Sequence, residues 1–195
     1  MANKVKYGLK NLHIFPIKEQ TSETTTYDGV IKVAGAVSLS LKASGDSNEF
    51  YADDTVFWSE FSNNGYEGDL EIALIPEEFE IKILGQLIDK NGAVVESSND
   101  KASNYAMAFE FSGDKTQTRH ILYNCSSSRP DVESETVKDK KEPNPDKLTI
   151  KAMPALDTGY VKAKLEKGKT GYDTFFSAPY KVVLPEGITP TTGGN

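Results

Sequence analysis

Apolar and polar residues alternate along most of the chain, and this period of two predicts β-strands. Between Val30 and Leu41, apolar side chains interleave with lysine and serine, so a strand here has one apolar face and one wet face. Gly35 interrupts the run and predicts a bulge or a corner in a curved sheet. Similar runs lie at 49–61, 66–75, 105–111, 118–123, 147–153, 160–165 and 172–184. The chain is therefore expected to be mainly β.

A tight hairpin is predicted where Asp89-Lys90-Asn91-Gly92 separates residues 85–88 from residues 93–96. The dipeptide Asn-Gly readily adopts the positive φ angles that a short hairpin turn requires. This is the clearest turn signal in the chain.

One helix is predicted at about residues 76–84. Pro76 suits the first turn, acidic residues follow it, and Phe79 and Ile83 lie on one face. Gly85 can end the helix, because glycine readily adopts the left-handed conformation of a C-terminal cap. The helix is short, so packing against a sheet has to stabilise it.

These elements indicate an antiparallel β-barrel or sandwich with one short flanking helix and extended loops or arms. The length of 195 residues and the 37% hydrophobic composition suit one folded domain, which we expect to span residues 1–184. Residues 185–195 lack apolar periodicity and are expected to form a flexible tail. Residues 131–147 hold ten charged residues in seventeen and two prolines, which predicts a mobile arm or an exposed hairpin.

Acidic residues outnumber basic ones, 29 to 22, which gives a formal net charge of −7. This balance argues against nucleic-acid binding by phosphate neutralisation, since that affinity needs clustered lysine and arginine. Cys125 is the only cysteine, which excludes an internal disulfide, and no zinc-ligand spacing or cofactor motif is found. No run approaches the roughly 20 apolar residues of a membrane span, and the first residues lack the apolar core of a signal peptide. We expect no membrane anchor.

His13 and His120 are the only imidazoles that a nucleophilic mechanism has available, and both lie in strand-like segments. Such a mechanism needs a nucleophile beside a base that a third group orients. A structural histidine on a sheet face is favoured over a general base at both positions. Cys125, at a strand end, is favoured as a packed or free thiol over a nucleophile. No catalytic residue is assigned, and an enzyme is not expected.

Two acidic groups are the other candidates for chemistry. Asp53 and Asp54 are adjacent, and Asp131, Glu133 and Glu135 alternate, so that a strand would place these three on one face. Calcium takes six to eight oxygen ligands, often from a loop with a turn-forming glycine, and neither group has that pattern. A solvated acidic surface is favoured, with metal binding as the alternative.

The segment from Phe50 to Phe61 is unusually aromatic. If it is one strand, Tyr51, Phe57 and Phe61 share one parity, and Phe50 and Trp58 share the other. Aromatic groups would then occupy both faces. Three interpretations remain open: a strand buried on both sides inside the subunit, a surface for subunit packing, or an aromatic platform for sugars.

The ordered set of segments resembles the major tail proteins of long-tailed bacteriophages, particularly those that infect Gram-positive bacteria. No single phrase is diagnostic, but their order and spacing together are specific, and they cover most of residues 4–184. The phrases are KVKYGLKN at 4–11, GAVSLSL at 35–41, FYADD at 50–54, GDLEIALIP at 68–76 running into LG at 84–85, and AMAFEF at 106–111 with YNC at 123–125.

This resemblance implies a structural virion protein, made in the host cytoplasm, whose copies form hexameric rings that stack into the tail tube. Phage DNA would pass through the lumen without specific binding, other phage tail proteins would be partners, and no cofactor would be needed. We expect the lumen to be acidic or neutral, so that it repels phosphate and permits sliding. The candidate subunit interface is Tyr51, Phe57, Trp58, Phe61, Asp131, Glu133 and Glu135.

Three other functions remain open at this point. A β-sandwich carbohydrate-binding or virion-decorating module would use the aromatic segment as its platform. A hydrolase would use a pair of the many carboxylates. A bacterial secretion tube of related shape is a variant of the tail-tube reading.

Overall fold

The computed structural model describes residues 7–132 and 144–188, which contain thirteen strands and one helix. The first seven strands are β1 (Leu9–Gln20), β2 (Thr25–Tyr27), β3 (Ile31–Val33), β4 (Ala36–Ser44), β5 (Ser47–Ala52), β6 (Thr55–Phe61) and β7 (Gly65–Ile72). After the helix α1 (Glu77–Lys82) follow β8 (Leu87–Ile88), β9 (Val94–Val95), β10 (Tyr105–Phe111), β11 (Arg119–Ser127), β12 (Asp146–Met153) and β13 (Lys162–Leu165). The protein is mainly β, as the alternation predicts.

Nine of the strands form one antiparallel sheet. Its main path runs β2-β1-β10-β11-β12-β7-β4, with β3 also paired to β1 and β13 also paired to β11. Ala34 and Gly35 join β3 directly to β4, although these strands lie at opposite ends of the ladder, so the sheet is rolled over itself. Gly35 turns this corner with φ of 75°, and its carbonyl oxygen accepts a hydrogen bond of 2.7 Å from the Ala73 amide. The corner predicted at Gly35 is confirmed.

The rolled sheet is a sandwich and not a closed barrel. Among the described residues β3 pairs with β1 and β4 pairs with β7, but no ladder joins β3 to β4. Of the two architectures that the sequence predicts, the sandwich fits and the closed barrel does not.

The main core lies inside the roll. Alternate residues of β1, β7 and β12 point into it, and Ile14, Leu70, Ile72, Leu148 and Ile150 are fully buried. Each such side chain contributes on the order of 1.5–3 kcal/mol through removal of apolar surface from water. This core fixes which face of each strand is wet.

The single helix is confirmed, although it is shorter than the predicted 76–84. Pro76 lies at the N-cap, and Ile83 lies at the C-cap of the six-residue helix α1. Phe79 and Ile83 are fully buried in the main core, so the helix packs against that core. No helix among residues 7–132 and 144–188 is long and apolar enough to cross a bilayer.

The prediction of a strand at 172–184 is wrong. This segment forms turns, such as the bond from the Phe175 amide to the Tyr172 carbonyl at 3.2 Å, and lies as a strap across the outside of the sheet. Phe175 is buried there, and the Phe176 ring stacks on His13 with centroids 4.5 Å apart. Two consecutive aromatic residues that pack on one surface favour a turn, since strand geometry would point them to opposite faces. The Tyr123 hydroxyl also donates to the strap, to Tyr180 O at 2.8 Å.

Candidate assembly surface

The β4–β7 pair continues beyond the sheet as a second hairpin. Ser44 opposes Gly65 at the end of the β4–β7 ladder, and the ladder of β5 with β6 then runs from Ser47–Phe61 to Ala52–Thr55. We call residues 45–64 the aromatic arm. With six and seven residues in its strands, the arm has a length of about 20 Å.

The tip of the arm is a two-residue turn at Asp53 and Asp54. Both residues have positive φ, 50° and 59°, which is the conformation of a type I′ turn and is tolerated by aspartate better than by most residues. The prediction of one continuous strand over 49–61 is therefore wrong. The two aspartates serve a turn, and no group of three or more potential metal ligands occurs in the described part of the chain.

The arm exposes six large apolar side chains, so the interpretation as a strand buried on both sides is also wrong. Phe57 and Phe61 keep 75% and 79% of their surface in solvent, and Trp58 keeps 50%. The full set is Phe50, Tyr51, Val56, Phe57, Trp58 and Phe61. A hairpin with this much exposed apolar surface has most of its hydrophobic burial still to gain from a partner.

Aromatic groups do occupy both faces of the arm, as the parity predicts. Phe50 and Trp58 oppose each other on one face, while Tyr51 opposes Val56 on the other. The register shifts by one residue between Phe50 and Tyr51, so Phe57 is the extra residue of a β-bulge. The arm therefore presents apolar surface in two directions.

The root of the arm is firmly built. The Ser62 amide donates to Asp46 O at 2.9 Å, and the Asp46 amide donates to the Ser62 hydroxyl at 2.8 Å. The Asn64 amide donates to Ser44 O at 2.9 Å. Gly45 is required at this crossing, since a Cβ there would lie 2.0 Å from the carbonyl oxygen of Ser62. These contacts hold the arm as an extension of the sheet.

The structure does not bring Asp131 together with the aromatic residues. The hydrogen bond to Asp69 is the main cause that raises the pKa of Lys147, and the charge of the exposed Asp131 adds to it. Tyr66 pairs with Ala152, so the arm begins at the Ala152 end of β12. Lys147 is five residues from Ala152, which places it about 17 Å from that end along the strand. The predicted partners Glu133 and Glu135 lie outside the described residues. The candidate interface of the sequence is thus split, and its aromatic part is the coherent one.

His13, His120 and Cys125 are parts of the packed sheet. His13 is buried, its Nδ1 lies 2.8 Å from Asn11 O, and burial lowers its pKa. The His120 ring stacks on Phe109 with centroids 5.4 Å apart. Cys125 is fully buried, and burial raises the pKa of its thiol, which disfavours the reactive thiolate.

The outer face of β4, β7 and β12 is mainly polar, and β4 also exposes half of Val37. Ser38 donates to Glu71 at 2.8 Å, and Lys147 pairs with Asp69 at 3.0 Å. We call this surface the polar face. It carries three lysines and three carboxylates, so its formal charge is zero, and its residues are Ser38, Ser40, Lys42, Glu67, Asp69, Glu71, Lys147, Thr149 and Lys151.

A concavity of the described residues lies between β2, the loop before β13 and the strap. It has a volume of about 560 Å³, and its lining includes Tyr27, Tyr123, Tyr160, Tyr180 and Asp157. Burial, with the charge of Asp157, raises the pKa of Tyr27 to about 12, which keeps its hydroxyl neutral. The lining of this cleft contains none of the candidate interface or candidate catalytic residues of the sequence analysis.

Comparison with known proteins finds no matching protein-family model and no matching curated protein. The resemblance to phage major tail proteins therefore rests on the sequence phrases alone.

The sequence does not predict that residues 45–64 form a projecting hairpin, nor that Phe50 and Val56 are exposed on it. The signal was present in Asp53-Asp54, because two turn-compatible residues separate two alternating apolar runs. The pair lacks the glycine that usually marks such a turn, which is why the run reads as continuous.

Proposed function

We propose that this chain is the subunit of a phage tail tube, a non-catalytic structural protein whose copies form hexameric rings that stack around a lumen for DNA. The observation that carries the proposal is the aromatic arm with its six exposed apolar side chains. Contiguous exposed apolar surface is rare on monomeric soluble proteins and marks sites of interaction.

The arm is also too small to be stable without further contacts. A two-stranded hairpin is marginally stable in water, and the side chains of β5 and β6 are nearly all exposed. A neighbouring copy that covers the arm would supply the burial that its own subunit does not. Folding and assembly are then favoured by the same apolar contacts.

Open sheet edges supply a second kind of contact. Among the described residues β4 pairs only with β7, so the other edge of β4 presents free N–H and C=O groups. A neighbour can continue the sheet at such an edge. A contact that closes by rotation makes a ring, and a second contact along the axis makes a tube.

The polar face suits the wall of a conduit for DNA. Its three lysines are matched by three carboxylates, two of which are held at 3.0 Å or less by partners on neighbouring strands. A charge-balanced wall lacks the clustered cations that hold phosphate through counterion release. We assign this face to the lumen as part of the proposal, in line with the expected acidic or neutral lining.

In this role the protein is made in the host cytoplasm and becomes part of the virion tail. Its partners are further copies of itself and the tail proteins that end the tube. DNA is a passing cargo and not a bound ligand.

The proposal is tested by negative-stain imaging and sedimentation velocity of the purified protein over increasing concentration. Rings or hollow fibres above a critical concentration are expected. A protein that stays monomeric throughout contradicts the proposal. Quenching of Trp58 fluorescence by oligosaccharides in such a monomer would favour the carbohydrate-binding module instead.

A further inference from the structure

The aromatic arm is acidic as well as apolar. Residues 45–64 contain five carboxylates and no lysine or arginine, namely Asp46, Glu49, Asp53, Asp54 and Glu60. Among the described residues none of them forms an ion pair. The arm therefore has uncompensated negative charge beside its exposed rings.

Within the described residues, a complementary surface lies on β13 and the turn that follows it. Residues 162–169 contain four lysines and one glutamate, and we call this surface the lysine edge. Lys164, Lys167 and Lys169 are exposed, and within the described residues they form no ion pair. In the part of the chain that the structure describes, β13 pairs only with β11, so its second edge offers free backbone groups.

One lysine of this edge already shows how such a contact is made. The Lys162 ammonium lies 4.3 Å from the centroid of the Tyr66 ring, at the root of the arm, and donates to the Tyr66 hydroxyl. Lysine stems cover apolar rings while their ammonium groups stay at the rim, and a cation over an aromatic face adds attraction. The arm offers both rings and carboxylates to the remaining lysines of a neighbour.

We propose that the aromatic arm of one copy docks along the lysine edge of the next copy, an inference that rests on the proposed function and names the surfaces which join the subunits. Two arms repel each other because both are acidic, and two lysine edges repel each other because both are basic. Lysines on an edge strand discourage pairing with an identical edge but accept an acidic strand. When each copy gives its arm to one neighbour and receives an arm from another, the contact is head-to-tail, the type that generates rings and tubes.

A charge-swap experiment tests the docking. The arm variant is Glu49→Lys with Glu60→Lys, and the edge variant is Lys164→Glu with Lys167→Glu. Each is expected to raise the critical concentration for assembly by about tenfold or more, because the arm variant lowers the formal charge of the arm from −5 to −1 and the edge variant changes that of the edge from +3 to −1. In the combined variant the edge faces an arm of charge −1 instead of −5, so the critical concentration is expected to fall at least about threefold below that of the edge variant alone.

A matched control carries the same charge change elsewhere. Lys18→Glu with Lys90→Glu alters two exposed lysines outside both surfaces and is expected to leave assembly unchanged. Urea unfolding of each variant monomer verifies that the fold is intact.

The outcomes separate this inference from the proposed function. If the wild type assembles but the combined variant fails to recover, the docking of arm on lysine edge is wrong and tube formation stands. The same holds if the control disrupts assembly as strongly as the arm and edge variants. If the wild type forms no rings or fibres, both proposals fall.

Discussion

Truncation of one arm ring should weaken assembly without weakening the fold. In Phe57→Ala and Phe61→Ala, the lost side chain has 75% or 79% of its surface in solvent in the single subunit. Full burial of phenylalanine is worth about 1.5–3 kcal/mol, so a contact that covers the exposed three quarters is worth about 1–2 kcal/mol. Since 1.4 kcal/mol is a factor of ten, each variant should raise the critical concentration about fivefold to thirtyfold.

The assay is sedimentation velocity over a concentration series, with urea unfolding of the monomer in parallel. The free energy of unfolding should change by less than about 0.5 kcal/mol, because the ring makes little contact within its own subunit. Leu74→Ala is the control, since Leu74 is 73% exposed but lies outside the arm. Assembly of both arm variants at the wild-type concentration, or an equal loss in the control, would refute the reasoning.

Three further predictions concern the fold. Ile150→Ala removes a fully buried side chain of the main core and should lower the free energy of unfolding by about 2–5 kcal/mol, measured by urea denaturation; a value below 1 kcal/mol would contradict the assigned core. Phe175→Ala should cost about 3–5 kcal/mol and weaken the near-ultraviolet circular dichroism of the strap aromatics, and an unchanged spectrum would argue against the packed strap. The Asp114 carboxylate accepts hydrogen bonds from Thr116 and Thr118, which lower its pKa. The free energy of unfolding should therefore decrease as the pH falls below the ordinary aspartate pKa of 3.8. Asp114→Asn should reduce this difference between urea titrations at pH 3 and pH 6. An equal pH dependence in the variant would exclude this carboxylate as the cause.

Local patterns predict the elements whose signal lies in consecutive residues. The strand at 105–111 is observed with the same bounds, and the hairpin turn at Asn91-Gly92 has its Gly92 at φ of 86°. The helix predicted at 76–84 is found at Glu77–Lys82, because its acidic start and its apolar face can be recognised from neighbouring residues. In each case the residues that give the signal lie within a few positions along the chain.

Features that depend on distant segments escape sequence reasoning. In β10 both faces are buried, with Met107 in the main core and Ala106 and Ala108 under the strap, and only the fold reveals that cover. Periodicity at 172–184 suggests a strand, but the packing of Phe175 on that outer face decides for turns.

The difference between local and distant contacts also explains how much of the candidate site is predictable from the sequence. The residues Tyr51, Phe57, Trp58 and Phe61 are identified as a surface for partners by their composition, and their exposure agrees with that hypothesis. The sequence does not identify the lysine edge, because rows of lysines are common on solvated surfaces. Only the topology shows that β13 has an unpaired edge.

The most direct test of the central claim is a cryo-electron microscopy reconstruction of the concentrated, purified protein. The account predicts a hollow assembly with six copies around a lumen and with Phe57, Trp58 and Phe61 buried between neighbouring copies. A monodisperse particle of 21.4 kDa at every concentration would contradict it, as would an assembly that leaves the aromatic arms in solvent.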